Sequence, residues 1–358
     1  MLASEHSTAF RAPEGMVALA WDRLAAYLRG QGMSLGDRPP RQFGGGMGNL
    51  NYLIELDGRP AVLRRPPLGP IPPGANDMKR EHRVLSRLWQ RFPLAPRGLH
   101  YCADAAIIGA PFQIMEYREG QAIFGSKWPD SIAADPALQH HMCALLIRIL
   151  ADLHAVDPAA VGLGEFGRPH GFLGRAVEGW TRRAELACDG EPSAATRAVA
   201  AWLAANPVAD GAPTLLHNDF KLDNVLFDPG DITRPVAVLD WDQATRGDPL
   251  FDLATLLSYW TEPDDPWAMH ALDQMPTASA GSLRRAAALT LYHQLTGRDL
   301  SDFAFYRVLA MFKLGVVFLQ LHAQFRRGTV SDQRYARFLP IAEGIIEFAD
   351  DVALGRAA

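Results

Sequence analysis

The chain has 358 residues, 48 % of them hydrophobic and 21 % charged, with a formal net charge of -5. That length exceeds one ordinary core and suits a two-lobed unit or two domains, while the acidic balance excludes a broad basic surface for nucleic acid. The three cysteines, Cys102, Cys143 and Cys188, are far apart and form no CxxC pair, which excludes a disulfide framework or a zinc site and leaves free thiols suited to a reducing cytoplasm.

The first residues, MLASEHSTAFRAPEG, lack the apolar core of a signal peptide. Residues 13–32 predict an amphipathic helix closed by Gly30 and Gly32. In RQFGGGMGNLNYLIEL (41–56), Leu50, Tyr52, Ile54 and Leu56 share one face and Asn51, Leu53 and Glu55 the other. This pattern predicts a strand, a glycine-rich turn and a second strand. Asp57-Gly58 signals a hairpin into a third strand, PAVLRRP (60–66). LGPIPPGAND (68–77) reads as a loop whose Asp77 caps a helix over 78–92, and PFQIMEY (111–117) reads as a further strand.

Beyond Glu119-Gly120 the character changes. Residues 140–156 have the spacing of a long buried helix. TLLHNDF, NVLFD and PVAVLDW, within 214–241, predict short strands around a loop, and helices are predicted over 248–260, 282–297 and 303–327. The apolar run LGVVFLQL (314–321) is short, so no bilayer-spanning segment is expected and the chain is read as cytoplasmic with no membrane partner. The expected class is α+β: a helical extension over 1–32, a small β-rich lobe over 33–116 and a larger, mainly helical lobe over 117–358.

The strongest chemical signal is LLHNDFKLDNVLF (215–227) followed by PVAVLDWD (235–242). Asn224 follows Asp219 by five residues, and Asp240 follows Asn224 by sixteen. Phosphoryl transfer is catalysed mainly by positioning and charge neutralisation. It needs one carboxylate facing the attacking hydroxyl, which Asp219 suits. It also needs hard oxygen ligands for Mg²⁺, which Asn224 and Asp240 suit, with Asp223 and Asp242 as neighbours able to add ligands. A lone HxD would be weak evidence, because loop carboxylates are mostly turn and cap residues. Three such positions in order between apolar strands make a stronger case.

The stretch HNDFKLDNVLF…VLDWD…GDPLFDLA is similar to the aminoglycoside phosphotransferase and choline kinase group, distant relatives of protein kinases. The resemblance spans about residues 40 to 260. VLRRPP (62–67), IGAPFQIMEYREG (108–120) and FLGRAVEGW (172–180) most resemble the kinase-like domain that precedes some acyl-CoA dehydrogenases. It implies a protein-kinase-like two-lobed fold that uses ATP and Mg²⁺, with Asp219 catalytic and Asn224 and Asp240 as metal ligands. Gly45, Gly46, Met47, Gly48 and Asn49 lie where the family places its phosphate cover. Their spacing departs from the G-x-G-x-x-G of protein kinases.

Arg64 stands where protein kinases carry lysine, with Glu81 as its expected partner. Arg65 takes that role if the register shifts by one; otherwise its loss is expected to do little. Glu116 and Tyr117 occupy the expected hinge, whose backbone binds the adenine edge. His217 is read as a bracing residue, and Asp252 as the carboxylate that holds the catalytic loop. Asp248 is read as a helix cap. His154 is read as a core histidine, with no acidic motif near it in sequence.

The implied reaction moves the γ-phosphate of a nucleoside triphosphate to a hydroxyl of a small molecule. A hydroxyacyl compound is the implied acceptor, and Arg168, Arg175, Arg182 and Arg183 are candidates for CoA phosphates. An aminoglycoside or amino alcohol is the alternative and would need acidic residues, of which TEPDDP (261–266) is one source. A nucleotide-binding pseudokinase is the rival from another class. The sequence leaves oligomeric state open.

Overall fold

The computed structural model describes residues 10–44, 48–69, 76–329 and 333–357. The strands are β1 (Arg41–Gln42), β2 (Leu50–Leu56), β3 (Arg59–Arg65), β4 (Gly98–Cys102), β5 (Phe112–Glu116), β6 (Thr214–Leu216), β7 (Val225–Asp228), β8 (Asp231–Val238) and β9 (Thr245–Gly247). The α-helices are α1 (Trp21–Gly30), α2 (Met78–Leu88), α3 (Asp130–Ala133), α4 (Pro136–His154), α5 (Phe172–Ala187) and α6 (Ala194–Ala205). They continue as α7 (Pro249–Tyr259), α8 (Trp267–Ala271), α9 (Arg285–Thr296), α10 (Phe303–Arg326) and α11 (Phe338–Ala353).

Two compact units emerge. The first comprises the described residues up to Ile123 together with Pro158–Gly164 and Asn224–Ala244. Its antiparallel sheet has the order β1-β2-β3-β5-β4. The β2 residues Tyr52, Ile54 and Leu56 alternate inward, as the period of two requires. They share a buried cluster with Leu63, Phe112 and Ile114 of the sheet and with Leu24 and Leu28 of α1. Asp57 and Gly58 both take positive φ in the β2–β3 turn, and Asp77 caps α2 by accepting from Arg80 N at 3.0 Å. The β7–β8 hairpin joins this unit through a bridge between Phe227 and Gln121.

The helix expected over 13–32 is shorter: a 3₁₀ turn at Pro13–Gly15 precedes α1, and the residues between are not helical. Tertiary hydrogen bonds claim that backbone. Val17 N donates to Gln42 Oε1 at 2.7 Å, and Val17 O accepts from Tyr52 OH at 2.9 Å. Of the glycine-rich turn, Gly45, Gly46 and Met47 lie outside the described residues, as do residues 70–75 of the next loop.

The second unit comprises Phe124–Asp157, Glu165–Asp223 and the described residues from Thr245 onward. It is mainly helical, with one small sheet of β6 and β9. One sequence expectation is corrected here. Helix α10 is long and apolar enough to span a bilayer by length and composition, but 67 % of its most apolar window is buried within the fold. Phe305 through Phe312 are all buried, the mark of a helix packed on every side. Gly315 lets α11 approach: a Cβ there would meet Ile346 Cγ1 at 2.5 Å.

Candidate functional site

In the first unit the candidate residues converge on Arg64. Its β3 position is paired in register with Asn51 of β2 and Gln113 of β5. The guanidinium donates from Nε to Glu81 Oε2 at 2.8 Å and from Nη1 to Asn51 Oδ1 at 3.3 Å, and Nη2 bonds Asp240 Oδ1. Arg64 is 6 % exposed and Glu81 fully buried. Burial opposes the charge on Arg64, but Asp240 and Glu81 outweigh it and raise its pKa above the ordinary value. Burial pushes the Glu81 carboxyl up, and Arg64 pulls it back. Glu81 Oε1 also accepts from Trp241 N at 3.3 Å, tying α2 to the turn that carries Asp240.

Asp240 follows β8 in the left-handed region, at φ 68° and ψ 56°, a conformation that Asp tolerates better than most residues. Asn224 immediately precedes β7, and its carbonyl accepts from Leu239 N at 2.8 Å. Val225 is paired with Val238, so Asn224 and Asp240 stand at the same end of one hairpin. The neighbouring Asp242 carboxyl is pushed up to about 7 by burial and by the charge of Asp240. It accepts from Asn49 Nδ2 at 3.2 Å, and Asn49 Oδ1 accepts from Asn76 at 3.0 Å. The described end of the glycine-rich turn is thereby anchored beside the Asp240 segment, while Gly48 is exposed.

Arg65 points to the other face of β3. It is 4 % exposed and donates to Ile108 O at 2.8 Å and Pro66 O at 2.9 Å. It is therefore a buried residue whose hydrogen bonds go to backbone carbonyls rather than to the candidate site. At the expected hinge, the Glu116 carboxylate accepts from Arg97 N and Arg118, each at 3.0 Å. Glu116 N is bonded to Arg97 O at 2.8 Å, which withdraws that donor from base recognition. Tyr117 stacks on Phe43, with ring centroids 6.4 Å apart.

In the second unit the loop after β6 carries Asp219. Asp252 of α7 accepts from His217 N through one oxygen and from Asn218 N through the other, both at 2.7 Å. Burial would raise the Asp252 carboxyl, but hydrogen bonding and charge from His154 and His217 hold it below the usual carboxylate range. His154 Nε2 lies 3.2 Å from Asp252, and its Nδ1 lies 2.7 Å from Tyr292 OH. The acidic partner that sequence reading did not find for His154 thus arrives from a distant helix. Asp248 caps α7, accepting from Leu250 N at 3.0 Å.

Sequence reading missed Tyr259 and Lys221. Tyr259 OH donates to Asp219 Oδ1 at 2.9 Å. Burial, then the Asp219 charge, raises the Tyr259 pKa well above its ordinary value, so the phenol stays protonated and able to donate. Lys221 bonds Asp223 at 2.9 Å and Gln274 at 3.0 Å, and its ammonium lies 5.2 Å from the Tyr259 ring centroid. Lys221 was legible as part of the HNDFK motif. Tyr259 sits in an apolar helix with nothing local to mark it.

Among the described residues no group of three or more His, Cys, Asp or Glu side chains forms a metal cluster. Mg²⁺ does not require one, because it is held by one or two protein carboxylates with phosphates and water completing its shell. Hard oxygens from Asn224 and Asp240 at one end of a hairpin suit that demand.

A model of the phosphotransferase enzyme family matches residues 40–292. The chain is 30 % identical over 317 residues to acyl-CoA dehydrogenase family member 11 of Gallus gallus, covering 86 % of this chain and 39 % of that protein. It is 30 % identical over 341 residues to family member 10 of Mus musculus, covering 94 % and 31 %. The chain therefore spans only about a third of the length of these relatives. Its fold is similar to a candidate aminoglycoside phosphotransferase from Ralstonia eutropha JMP134, with a TM-score of 0.77, 26 % identity and coverage of 94 % and 99 %. Aminoglycoside phosphotransferase APH(4)-Ia in ternary complex with AMP-PNP and hygromycin B shares the fold at a TM-score of 0.53 and 17 % identity, covering 90 % and 96 %. The chain belongs to the phosphotransferase enzyme family and has its kinase-like fold.

Proposed function

We propose that the chain transfers the γ-phosphoryl group of ATP to a hydroxyl of a hydroxyacyl compound, with Asp219 as the catalytic carboxylate. The observation that carries this reading is the anchoring of Asp219: Tyr259 holds Oδ1 at 2.9 Å while Asp252 holds the two preceding backbone N–H groups. A carboxylate fixed in this way is suited to take or orient one proton.

In the proposed step the acceptor oxygen bonds to the γ-phosphorus as the bond from that phosphorus to the β,γ-bridging oxygen breaks. The hydroxyl proton passes to Asp219, and the products are a phosphate ester, ADP and a proton. Arg64, held by Glu81, neutralises phosphate charge. Asn224 and Asp240 would hold Mg²⁺, which when bound screens the triphosphate and favours the leaving group. Gly45, Gly46, Met47, Gly48 and Asn49 would cover the phosphates, and the backbone around Glu116 and Tyr117 would meet the adenine edge.

Similarity to acyl-CoA dehydrogenase family members supports the acceptor class. So does the state of the acidic loop. Asp265 accepts both Nη groups of Arg285 at 2.6 Å, and Glu262 lies 3.2 Å from the same guanidinium. Two carboxylates that a polycationic aminoglycoside would need are already neutralised. The test supplies Mg-ATP with hydroxyacyl-CoA esters, free hydroxy acids and aminoglycosides, following ADP release and the phosphorylated product by mass. Turnover confined to aminoglycosides would refute the acceptor class, and no turnover with any alcohol would favour the pseudokinase reading.

A further inference from the structure

Asn218 is the residue before Asp219 and has φ 66°. A non-glycine residue in the left-handed region needs its surroundings to hold it there. Its N–H is taken by Asp252 Oδ1 at 2.7 Å. Its carbonyl accepts from the ammonium of Lys313, which comes from the middle of α10. The residue that aims Asp219 is therefore gripped by a carboxylate on its amide side and an ammonium on its carbonyl side.

Lys313 also lies 3.5 Å from Thr255 Oγ1 and 5.4 Å from the Phe251 ring centroid, both on α7. Burial lowers its pKa, while the charges of Asp219 and Asp252 oppose that fall. An apolar residue would pack here at lower desolvation cost, so an amine needs a reason.

We propose that Lys313 is a positioning residue for phosphoryl transfer, holding the Asn218 carbonyl so that the Asp219 carboxylate keeps its catalytic orientation. This rests on the reading of Asp219 given above. Lys313 itself touches neither nucleotide nor acceptor in this scheme and acts only through the loop.

The test uses the full chain with Mg-ATP and water as phosphoryl acceptor. Lys313→Met should lower turnover at saturating ATP by about tenfold or more, the scale of one lost charge-assisted hydrogen bond, with KM for ATP unchanged. Lys313→Arg, which keeps the donor and the charge, should recover much of the rate, and Thr255→Val should match the parent. Hydrogen exchange gives a readout independent of turnover. The Asn218 and Asp219 amides should exchange faster in Lys313→Met, or in Lys313→Gln should the former not fold.

Unchanged turnover, equal losses in the Met and Arg variants, or unaltered exchange would overturn the proposal. Asp219→Asn run in parallel separates the two readings. If it abolishes hydrolysis while the Lys313 variants keep theirs, only the positioning role fails. If hydrolysis is indifferent to Asp219→Asn, the catalytic assignment falls and this proposal with it.

Discussion

The Arg64 guanidinium meets the Glu81 carboxylate at 2.8 Å, with Glu81 wholly removed from water. Breaking a buried pair by removing one partner leaves an uncompensated charge and costs about 3–5 kcal/mol. Glu81→Ala should therefore lower stability by roughly that amount in urea denaturation and weaken ATP binding. Arg64→Ala should lose most ATP affinity, whereas Arg64→Lys should keep an appreciable part because it still neutralises phosphate. Isothermal titration with ATP on the three variants checks the order.

Arg65→Ala should behave differently from Arg64→Ala. Its guanidinium contacts backbone carbonyls and no candidate site residue. Loss of buried charge-assisted hydrogen bonds should cost about 1.5–3 kcal/mol of stability. ATP affinity of the folded fraction should be unaltered. A thermal melt and a nucleotide titration on the same sample separate the effects.

Asp219→Asn should reduce transfer by about 10²–10⁴-fold while ATP still binds. Retention of most of the rate with a true acceptor would remove Asp219 from the mechanism.

Asn224→Ala and Asp240→Ala should each raise the Mg²⁺ concentration needed for half-maximal rate. Mg-ATP affinity unchanged in both would count against their role as ligands. Asp240→Ala also removes a partner of Arg64, so its effect on nucleotide binding should be the larger.

Asp252 gives a pH prediction. Its folded-state pKa lies below the ordinary value of 3.8, so the unfolded state binds the proton more readily. The stabilisation is present above the unfolded pKa and lost as pH falls through the folded one. Urea denaturation from pH 7 down to about pH 3 should show the gap between the parent and Asp252→Asn narrowing toward acid. A gap that widened toward acid would reverse the assigned direction.

Much of the first unit was legible because strand alternation is a strict signal. It placed Leu50 through Leu56 and set Arg64 rather than Arg65 toward Glu81. Strand β4 escaped because its pairing shifts register between Gly98 and His100, which breaks the alternation. Helix α11 was not predicted from the sequence, whose segment 338–353 carries Pro340 and Gly344, residues that disfavour a helix interior. Pro340 falls in the first turn, where it is tolerated, and a Cβ on Gly344 would meet Ala268 Cβ at 2.6 Å, so glycine permits the contact with α8. The Asp219 motif was legible as a run of residues. Its supports, Tyr259 and Lys313, were not, because each lies in a mainly apolar helix whose partner is 40 or 95 residues away.

The return of Asn224–Ala244 to the sheet-bearing unit has a consequence for how the chain is made. Trp241 is fully buried, sits edge-on to Phe92 at 6.1 Å and bonds Glu81 through its backbone N–H. During synthesis, residues up to Ile123 emerge well before that tryptophan does. The nascent unit must then wait, with the Phe92 surface uncovered and Glu81 short of a donor, while Phe124–Asp223 is translated. A fragment ending at Ile123 should accordingly be prone to aggregation on its own. Co-expressing it with a peptide spanning Asn224–Ala244 should improve its recovery, because that peptide supplies the missing strands in trans.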